Sequence, residues 1–414
     1  MRILIHGINY TPELTGIGKY TGEMAEWLAQ QGHDVHVLTA LPYYPEWTVH
    51  EDYRGKKWHT ETLNKVKVHR VPLYVPKEVS SASRIIHEFS FLVSTIPFWI
   101  KSVFSQRFDV VFCIAPPFHL ALFPWIYKKL RGSVWINHIQ DLQVDAAKDL
   151  GMIKNQTLLR IMFGLERFFL LKGSRVSTIS KGMQDKILKK GLVEDKLLFF
   201  PNWVDSQVIF PLPKEESLRA EMGFSPADRI VLYSGNLGEK QGLDGIINVA
   251  SRFAMEKSVK FVICGSGGGK DKLMQLAKQL QLGNVFFFPL QTYEKLSALL
   301  AMADLHLILQ KSSAADLVMP SKLTGILAAG GCALVTAAGG TTLHDIVHDF
   351  KMGILVEPED DDELERGIRK GLFDDSTVFK QNARDYAQRY LDKQHILRTF
   401  EQDIKNLVSS DKIA

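Results

Sequence analysis

Twelve short apolar runs, six in each half of the chain, alternate with stretches of helical spacing, and this alternation constrains the fold more than any other feature. The runs in the first half are Ile3 to Ile5, Val35 to Leu38, Val66 to Val71, Val110 to Ile114, Val134 to Ile139 and Val176 to Ile179. Those in the second are Ile230 to Tyr233, Val259 to Ile263, Val285 to Phe288, Leu305 to Leu309, Ala333 to Val335 and Ile354 to Val356. Strands separated by helices imply a parallel sheet with helices on its faces, so the expected fold is α/β with two doubly wound, Rossmann-like domains. Tyr20, Met24, Trp27 and Leu28 fall on one side of the first helix, as a core-facing stripe requires. Between the halves, Phe199 to Asp205 closes the first unit and a polar stretch with Pro211 and Pro213 marks the hinge. Residues 1–205 and 206–385 are therefore the two expected domains. Residues 386–414 carry Ile396, Leu397, Phe400, Ile404 and Leu407 at helical spacing and are expected to pack back near the hinge or the first domain. Ligands of such sheets bind beyond the carboxyl ends of the strands, so two sheets facing each other would share one central cleft.

With 414 residues and 46% hydrophobic content the chain can build two real cores. Fifty basic against 46 acidic residues leave a net charge of +4, too balanced to announce a nucleic-acid binder. Cys113, Cys264 and Cys332 lie in apolar or small-residue surroundings without metal-ligand spacing, which reads as reduced core thiols and a cytoplasmic protein. Met1 leads straight into the first strand, leaving no room for a leader, and no run of eighteen apolar residues offers a membrane span.

The turn from Val231 to Gly245 joins an apolar strand to a helix through Gly235, Gly238 and Gly242. Without Cβ atoms these positions let a ligand approach the backbone, and the amides at the following helix start would face an anion. Lys240 adds a mobile positive charge. Pro320-Ser321-Lys322-Leu323 opens a second helix with a proline, a hydroxyl and a lysine, the set that a diphosphate needs at a helix N-terminus. Gln310, Lys311 and Asp316 in the preceding loop are within reach of the same ligand. The Cys264 to Lys270 stretch is one residue short of a P-loop and has Asp271 where Ser or Thr must bind magnesium. The acidic run from Glu357 to Glu363 precedes Leu364 and reads as a helix cap rather than a metal cage.

In the first half, the turn from Pro12 to Lys19 brings Gly16 and Gly18 to a helix start, and Thr21 stands where a dinucleotide fingerprint has its third glycine. The second strand ends Leu38-Thr39-Ala40-Leu41, without the acidic residue that holds a ribose, which argues against a nicotinamide or flavin enzyme. The strand from Val134 to Ile139 puts His138 and Gln140 on one face and Asp141 at its end, where a carboxylate could orient or deprotonate an acceptor hydroxyl, or serve the fold alone. Arg84 to Phe104 is apolar, broken by Pro97 and flanked by basic residues; it fits a membrane-interface helix and a buried helix pair equally.

The segments PELTGIGKYTGEMAEWLAQQGHDVHVLTA, HIQDLQVDA, FFPNWVD, YSGNLGEKQGL and MPSKLTGILAAGG, in that order, resemble the retaining GT-B-fold glycosyltransferases of family 4 over nearly the whole chain. Within that family the chain is most similar to the bacterial colanic acid fucosyltransferase type. The resemblance implies transfer of a sugar from a nucleotide donor such as GDP-fucose to a polyprenyl-diphosphate-linked saccharide, without a metal or other cofactor, and possible peripheral contact with the inner membrane through 84–104. The first domain would bind the acceptor and the second the donor. It implies that Gly235, Asn236, Gly238, Lys240, Ser321, Lys322 and Leu323 hold the donor diphosphate, with Gly16 and Gly18 against the donor. His138 and Gln140 would meet the acceptor, and Asp141, Lys322 and Lys240 would carry the catalysis. The chain departs from the family pattern at Asn236 and Gln241, where many relatives have Arg and Lys, and at Gly325, where the ribose-binding Glu usually stands. Two rival functions remain on the same fold: a sugar-nucleotide epimerase and a non-catalytic nucleotide-sugar scaffold.

Overall fold

Strands that are apolar throughout must be covered on both faces, and the computed structural model of the chain meets this requirement twice. It describes every residue except 14–15, 150–152, 154, 239–240, 312–319 and 412–414. The chain divides into two compact units, Met1–Pro201 with Leu397–Ala414, and Asn202–Ile396.

Unit 1 contains β1 (Arg2–His6), α1 (Gly16–Gln30), β2 (Asp34–Ala40), β3 (His59–Leu63), β4 (Val66–Val71), α2 (Ser81–Ser94), α3 (Ile96–Val103) and β5 (Val110–Ala115). It continues through α4 (Leu122–Arg131), β6 (Val134–Ile139), α5 (Gln143–Asp149), α6 (Gln156–Lys172), β7 (Arg175–Thr178), α7 (Lys181–Lys189) and β8 (Leu197–Phe199). The sheet order is β3-β4-β2-β1-β5-β6-β7-β8, parallel except for the β3–β4 pair. Unit 2 contains β9 (Arg229–Asn236), α8 (Asp244–Arg252), β10 (Val259–Ser266), α9 (Lys270–Gln279), β11 (Val285–Phe288), α10 (Leu296–Ala301) and β12 (Leu305–Ile308). It ends with α11 (Ser321–Ala328), β13 (Ala333–Thr336), α12 (Thr342–Asp349), β14 (Gly353–Val356), α13 (Asp361–Phe373) and α14 (Thr377–Tyr390), before α15 (Lys393–Asp411). Its order, β11-β10-β9-β12-β13-β14, is the 3-2-1-4-5-6 winding of a nucleotide-binding sheet, and unit 1 repeats it once β3 and β8 are set aside. The order reverses beside β1 and beside β9, so the carboxyl ends of these two strands are where each sheet offers a ligand site.

All twelve expected runs are strands. Two more strands complete unit 1: β3 is polar and alternately exposed, as an edge strand paired on one side is, and β8 has only 3 residues. The stripe Tyr20, Met24, Trp27 and Leu28 is buried, and so are the three cysteines. Asp360 caps α13 by accepting from the amides of Asp362 and Glu363, the role expected of the acidic run. The core of unit 1 packs Leu4, Val111 and Trp135 against Phe91, Trp99 and Tyr127. That of unit 2 packs Val231, Tyr233 and Phe261 against Ile247 and Phe253. Each such side chain contributes about 1.5–3 kcal/mol by leaving water. The last helix belongs to unit 1: Phe400 stacks on Phe200 at 3.8 Å and Glu401 bonds to His33 at 2.8 Å.

Residues 84–104 form the pair α2–α3, broken at Thr95 to Pro97. Phe91, Leu92 and Trp99 are buried in the core, while Ile86, Val93, Ile100 and Phe104 are exposed. One face of the pair thus covers the sheet, and the opposite face is apolar and open.

Candidate active site

Strand β9 carries Tyr233 and Gly235 on one face, since side chains along a strand alternate. The Tyr233 ring is buried and its hydroxyl donates to the Asn236 carbonyl at 2.8 Å, which fixes the turn that follows. Lys322, one residue into α11, lays its Nζ 3.8 Å from the centre of that ring, and a Cβ at Gly235 would stand 3.5 Å from the same Nζ. Gly235 has φ of 145°, a conformation that L side chains rarely adopt, so the close approach and the backbone both call for glycine.

The Lys322 ammonium is buried and has no hydrogen-bond partner among the described residues. Burial pushes its pKa down to about 7, because the charged form loses its water and gains only the ring face in exchange. A diphosphate placed beside Gly235 would supply the missing counter-charge. One further basic side chain reaches the same turn. Lys311 leaves β12 and crosses Gly242, whose Cβ would meet its stem at 3.4 Å. Pro320, the N-cap of α11, makes no side-chain cap bond, and Ser321, in the first helical position, is exposed. The helices α12 and α13, by contrast, are capped by Thr341 and Asp360. Asn236 and Gln241 close over Gly238, whose Cβ would lie 3.3 Å and 3.1 Å from their side-chain ends. Leu323 buries its side chain and donates its amide to the Pro320 carbonyl, so it seats α11 in the core. Thr336 accepts from the Gln310 amide and donates to the Gln310 carbonyl, pinning the chain after β12. Lys240 and Asp316 lie outside the described residues.

In unit 1 the corresponding turn is occupied by the protein itself. Glu13 is buried and accepts from the amides of Tyr43 and Tyr44 at 3.1 and 3.0 Å and from Asn9 at 2.9 Å. Burial raises its pKa against the pull of these donors. A Cβ at Gly18 would press on Glu13 at 3.0 Å, whereas Gly16, with φ of 59°, has open space around it. Asp141 follows β6 and lines a small cavity with Asn137, Gln143 and Glu166. Gln140 is buried and donates its amide to the Ala115 carbonyl. His138 is wholly enclosed: its ring stacks on Phe112, meets Phe200 edge-on and bonds to Ser177 at 2.9 Å. Burial lowers its pKa to about 3, so it is neutral at physiological pH.

The residues that the sequence reading grouped around a diphosphate, Gly235, Asn236, Gly238, Ser321 and Lys322, thus come together in unit 2. Tyr233 and Glu13 were missed. Only the period-two relation of Tyr233 to Gly235 hinted at the first, and a glutamate in a turn gives no signal that it is buried.

A pair of doubly wound domains, each with a glycine-bearing turn at its switch point, is the architecture of the GT-B class of proteins. Comparison with known proteins places the chain within that class. Residues 15–203 match the glycosyl transferase 4-like domain and residues 214–389 match the glycosyl transferases group 1 family. The chain is 43% identical over 413 residues to the protein named "Putative colanic acid biosynthesis glycosyl transferase WcaI" of Escherichia coli (strain K12), covering 98% of this chain and 100% of that one. The protein therefore belongs to the group 1, GT4-like glycosyltransferases. Its fold is similar to that of sucrose-phosphate synthase from Thermosynechococcus elongatus, with a TM-score of 0.77 at 16% identity over 99% of both chains. It is similar also to HepE of Anabaena in complex with UDP and glucose, with a TM-score of 0.72 at 16% identity over 98% of this chain and 100% of that one.

Proposed function

We propose that the protein is a retaining glycosyltransferase of exopolysaccharide biosynthesis that moves fucose from GDP-fucose to a polyprenyl-diphosphate-linked saccharide of the colanic acid type. The observation that carries the donor half of this reading is the buried Lys322 ammonium against Gly235, which meets no hydrogen-bond partner among the described residues. Full-length similarity to WcaI supports the pathway.

In this reading Lys322, the α11 amides and the Ser321 hydroxyl bind the diphosphate, with Lys311 and Lys240 adding charge. As the sugar–phosphate bond breaks, negative charge grows on the departing nucleoside diphosphate, and a fixed ammonium in a dry site stabilises it without reorganisation. Lysine takes the role that a metal ion would otherwise fill. A leaving phosphate oxygen accepts the proton of the incoming hydroxyl on the same face of the sugar, and Asp141 positions that hydroxyl. The bond from the anomeric carbon to phosphate oxygen breaks as the bond to the acceptor oxygen forms, with retention.

The test is incubation of purified protein with GDP-fucose, other GDP-sugars and UDP-sugars, with and without polyprenyl-diphosphate oligosaccharide, in the presence of a chelator. Fucosylated lipid formed only from GDP-fucose supports the reading in full. Product from another donor corrects the sugar. Donor consumed without acceptor indicates an epimerase, and donor bound without turnover a scaffold. Turnover that stops with chelator and returns with a divalent ion removes the lysine-only mechanism.

A further inference from the structure

Of the 13 histidines in the chain, only His344 and His348 stand four residues apart. Both lie on α12, where residues at that interval share one face of the helix. The run His344-Asp345-Ile346-Val347-His348 has the spacing with which a helix presents two imidazoles to a zinc ion. The inward side of α12 is fixed: Leu343 and Val347 are buried in the same cluster as Val335 and Met352, and Thr341 accepts from the His344 amide. One residue further on, a rotation of about 100° around the helix, the two imidazoles emerge side by side. Their side chains are 27% and 70% exposed, and the rings lie within 9° of parallel with centroids 5.8 Å apart.

Each ring is oriented by the carboxylate that follows it. His344 Nδ1 lies 3.1 Å from Asp345 and His348 Nδ1 lies 3.2 Å from Asp349. A neutral imidazole carries one ring proton, so an Nδ1–H that donates to a carboxylate leaves the lone pair on Nε2. Nε2 of neither ring bonds to a protein group among the described residues. A carboxylate on the far nitrogen is what metal-bound histidines usually have, because it sets the tautomer and makes the ligand nitrogen more basic. His36 and His69 show the contrast. They also stack, at 5.3 Å, but use their nitrogens on each other, His36 Nδ1 meeting His69 Nε2 at 3.0 Å.

Two imidazoles do not close a site. Among the described residues no group of three or more His, Cys, Asp or Glu side chains could hold a metal, so the rest of the coordination falls to water. Nitrogen ligands favour Zn²⁺, Ni²⁺ and Cu²⁺ over Mg²⁺ and Ca²⁺, which take oxygen.

We propose that His344 and His348 chelate a divalent transition metal of the zinc class on the outside of unit 2, Nε2 of each ring filling one coordination position. Both rings reach one ion only while α12 is helical, so the metal stabilises this part of the unit. Neither histidine belongs to the groups around Lys322 and Gly235, and the proposal is independent of the donor and of the metal-free transfer proposed above.

The test is calorimetric titration of the full, untagged, metal-stripped chain with ZnCl₂, NiCl₂ and MgCl₂. One Zn²⁺ or Ni²⁺ per chain is expected, and no binding of Mg²⁺. His344→Ala and His348→Ala should each weaken Zn²⁺ binding about tenfold or more, and Asp345→Asn with Asp349→Asn about tenfold. The pair of substitutions His348→Ala and Asp349→His keeps two histidines but sets them five apart, off a common face, and should bind no better than His348→Ala alone. Circular dichroism should match the wild type, because none of these side chains is buried. Free Zn²⁺ at about ten times Kd should raise the wild-type Tm by about 3–6 °C and leave that of His344→Ala in place. The proposal fails if the wild type binds Zn²⁺ no more tightly than the variant lacking both histidines, or if the five-apart variant binds as the wild type does. One ion per two chains, with a dimer in sedimentation, would overturn it as well, since the remaining ligands would then come from a second copy instead of water.

Discussion

The two sheets share a winding and each has a glycine-bearing turn after its central strand, yet the turns are in opposite electrostatic states. After β1, three donors converge on the protein's own carboxylate, Glu13, and the turn is satisfied. After β9, a buried ammonium meets an aromatic ring and a bare glycine, and nothing among the described residues balances it. One turn has built its anion in; the other shows none among the described residues. A fold that lowers a lysine pKa to about 7 retains instability that an anion beside Gly235 would relieve, and the donor-phosphate site proposed above rests on this difference.

The sharpest way to break this comparison is Lys322→Ala. Loss of the ammonium should lower kcat/KM by about a thousandfold or more, the scale at which one preorganised charge on a developing anion acts. The fold should survive, since the group removed is a buried charge with no hydrogen-bond partner among the described residues. Wild-type turnover in this variant would mean that the phosphates bind elsewhere. Next comes Gly235→Ala, which asks an L residue to take φ of 145° and sets a methyl against Nζ. Donor affinity should fall by about tenfold to a hundredfold, read by titration with nucleoside diphosphate, with a smaller loss in Tm.

Titration sharpens the comparison without removing any atom from the turn. In the folded protein Lys322 gives up its proton near pH 7, whereas an unfolded lysine keeps it up to the ordinary value of 10.5. Between these values the unfolded state binds more protons, so this group makes stability rise with pH from 7 to 10.5, and its full destabilising effect is present below 7. Lys322→Met should therefore raise Tm by a few degrees at pH 6 and flatten the rise at higher pH. In the wild type, a diphosphate beside Lys322 favours its charged form, so donor binding should take up a proton above pH 7 and weaken as pH rises. Calorimetry in two buffers of different ionisation enthalpy reads that proton. Equal heats in both would detach the ammonium from the ligand.

The sheets were legible because buried parallel strands are apolar on both sides and stand out from the helices between them. Strand β3 was not, since an edge strand with alternate exposure looks like a polar loop, and the 3 residues of β8 are too few for any pattern. Gly235, Ser321 and Lys322 were readable from turn chemistry alone. Their convergence was not, because the ring that holds Lys322 of α11 comes from β9, far away in the chain. Glu13 is the opposite case: its burial depends on the Tyr43 and Tyr44 amides, which only the fold brings to it. Glu13→Ala should leave these two amides unpaired and destabilise the protein by about 2 kcal/mol or more, while nucleoside diphosphate affinity stays within about twofold of the wild type. A large loss of affinity would show that the first turn also serves the donor.

His138 gives the smallest effect and the finest division between the two kinds of polar residue at a strand end. It was expected to contact the acceptor because it shares a strand face with Gln140 near the strand's end. Strand parity turns it to the opposite face from Asp141, where Phe112 and Phe200 enclose it. The ring is packed between aromatics, burial lowers its pKa to about 3 so that it is neutral, and its Nδ1 bonds to the Ser177 hydroxyl. His138→Phe should then cost about 1 kcal/mol, the price of the lost bond to Ser177, and leave KM for the acceptor unchanged. His138→Ala, which empties the same space, should cost about 3 kcal/mol by analogy with other large-to-small core changes. A raised acceptor KM in the phenylalanine variant at unchanged Tm would return His138 to the site; stability loss ordered by volume would keep it in the core.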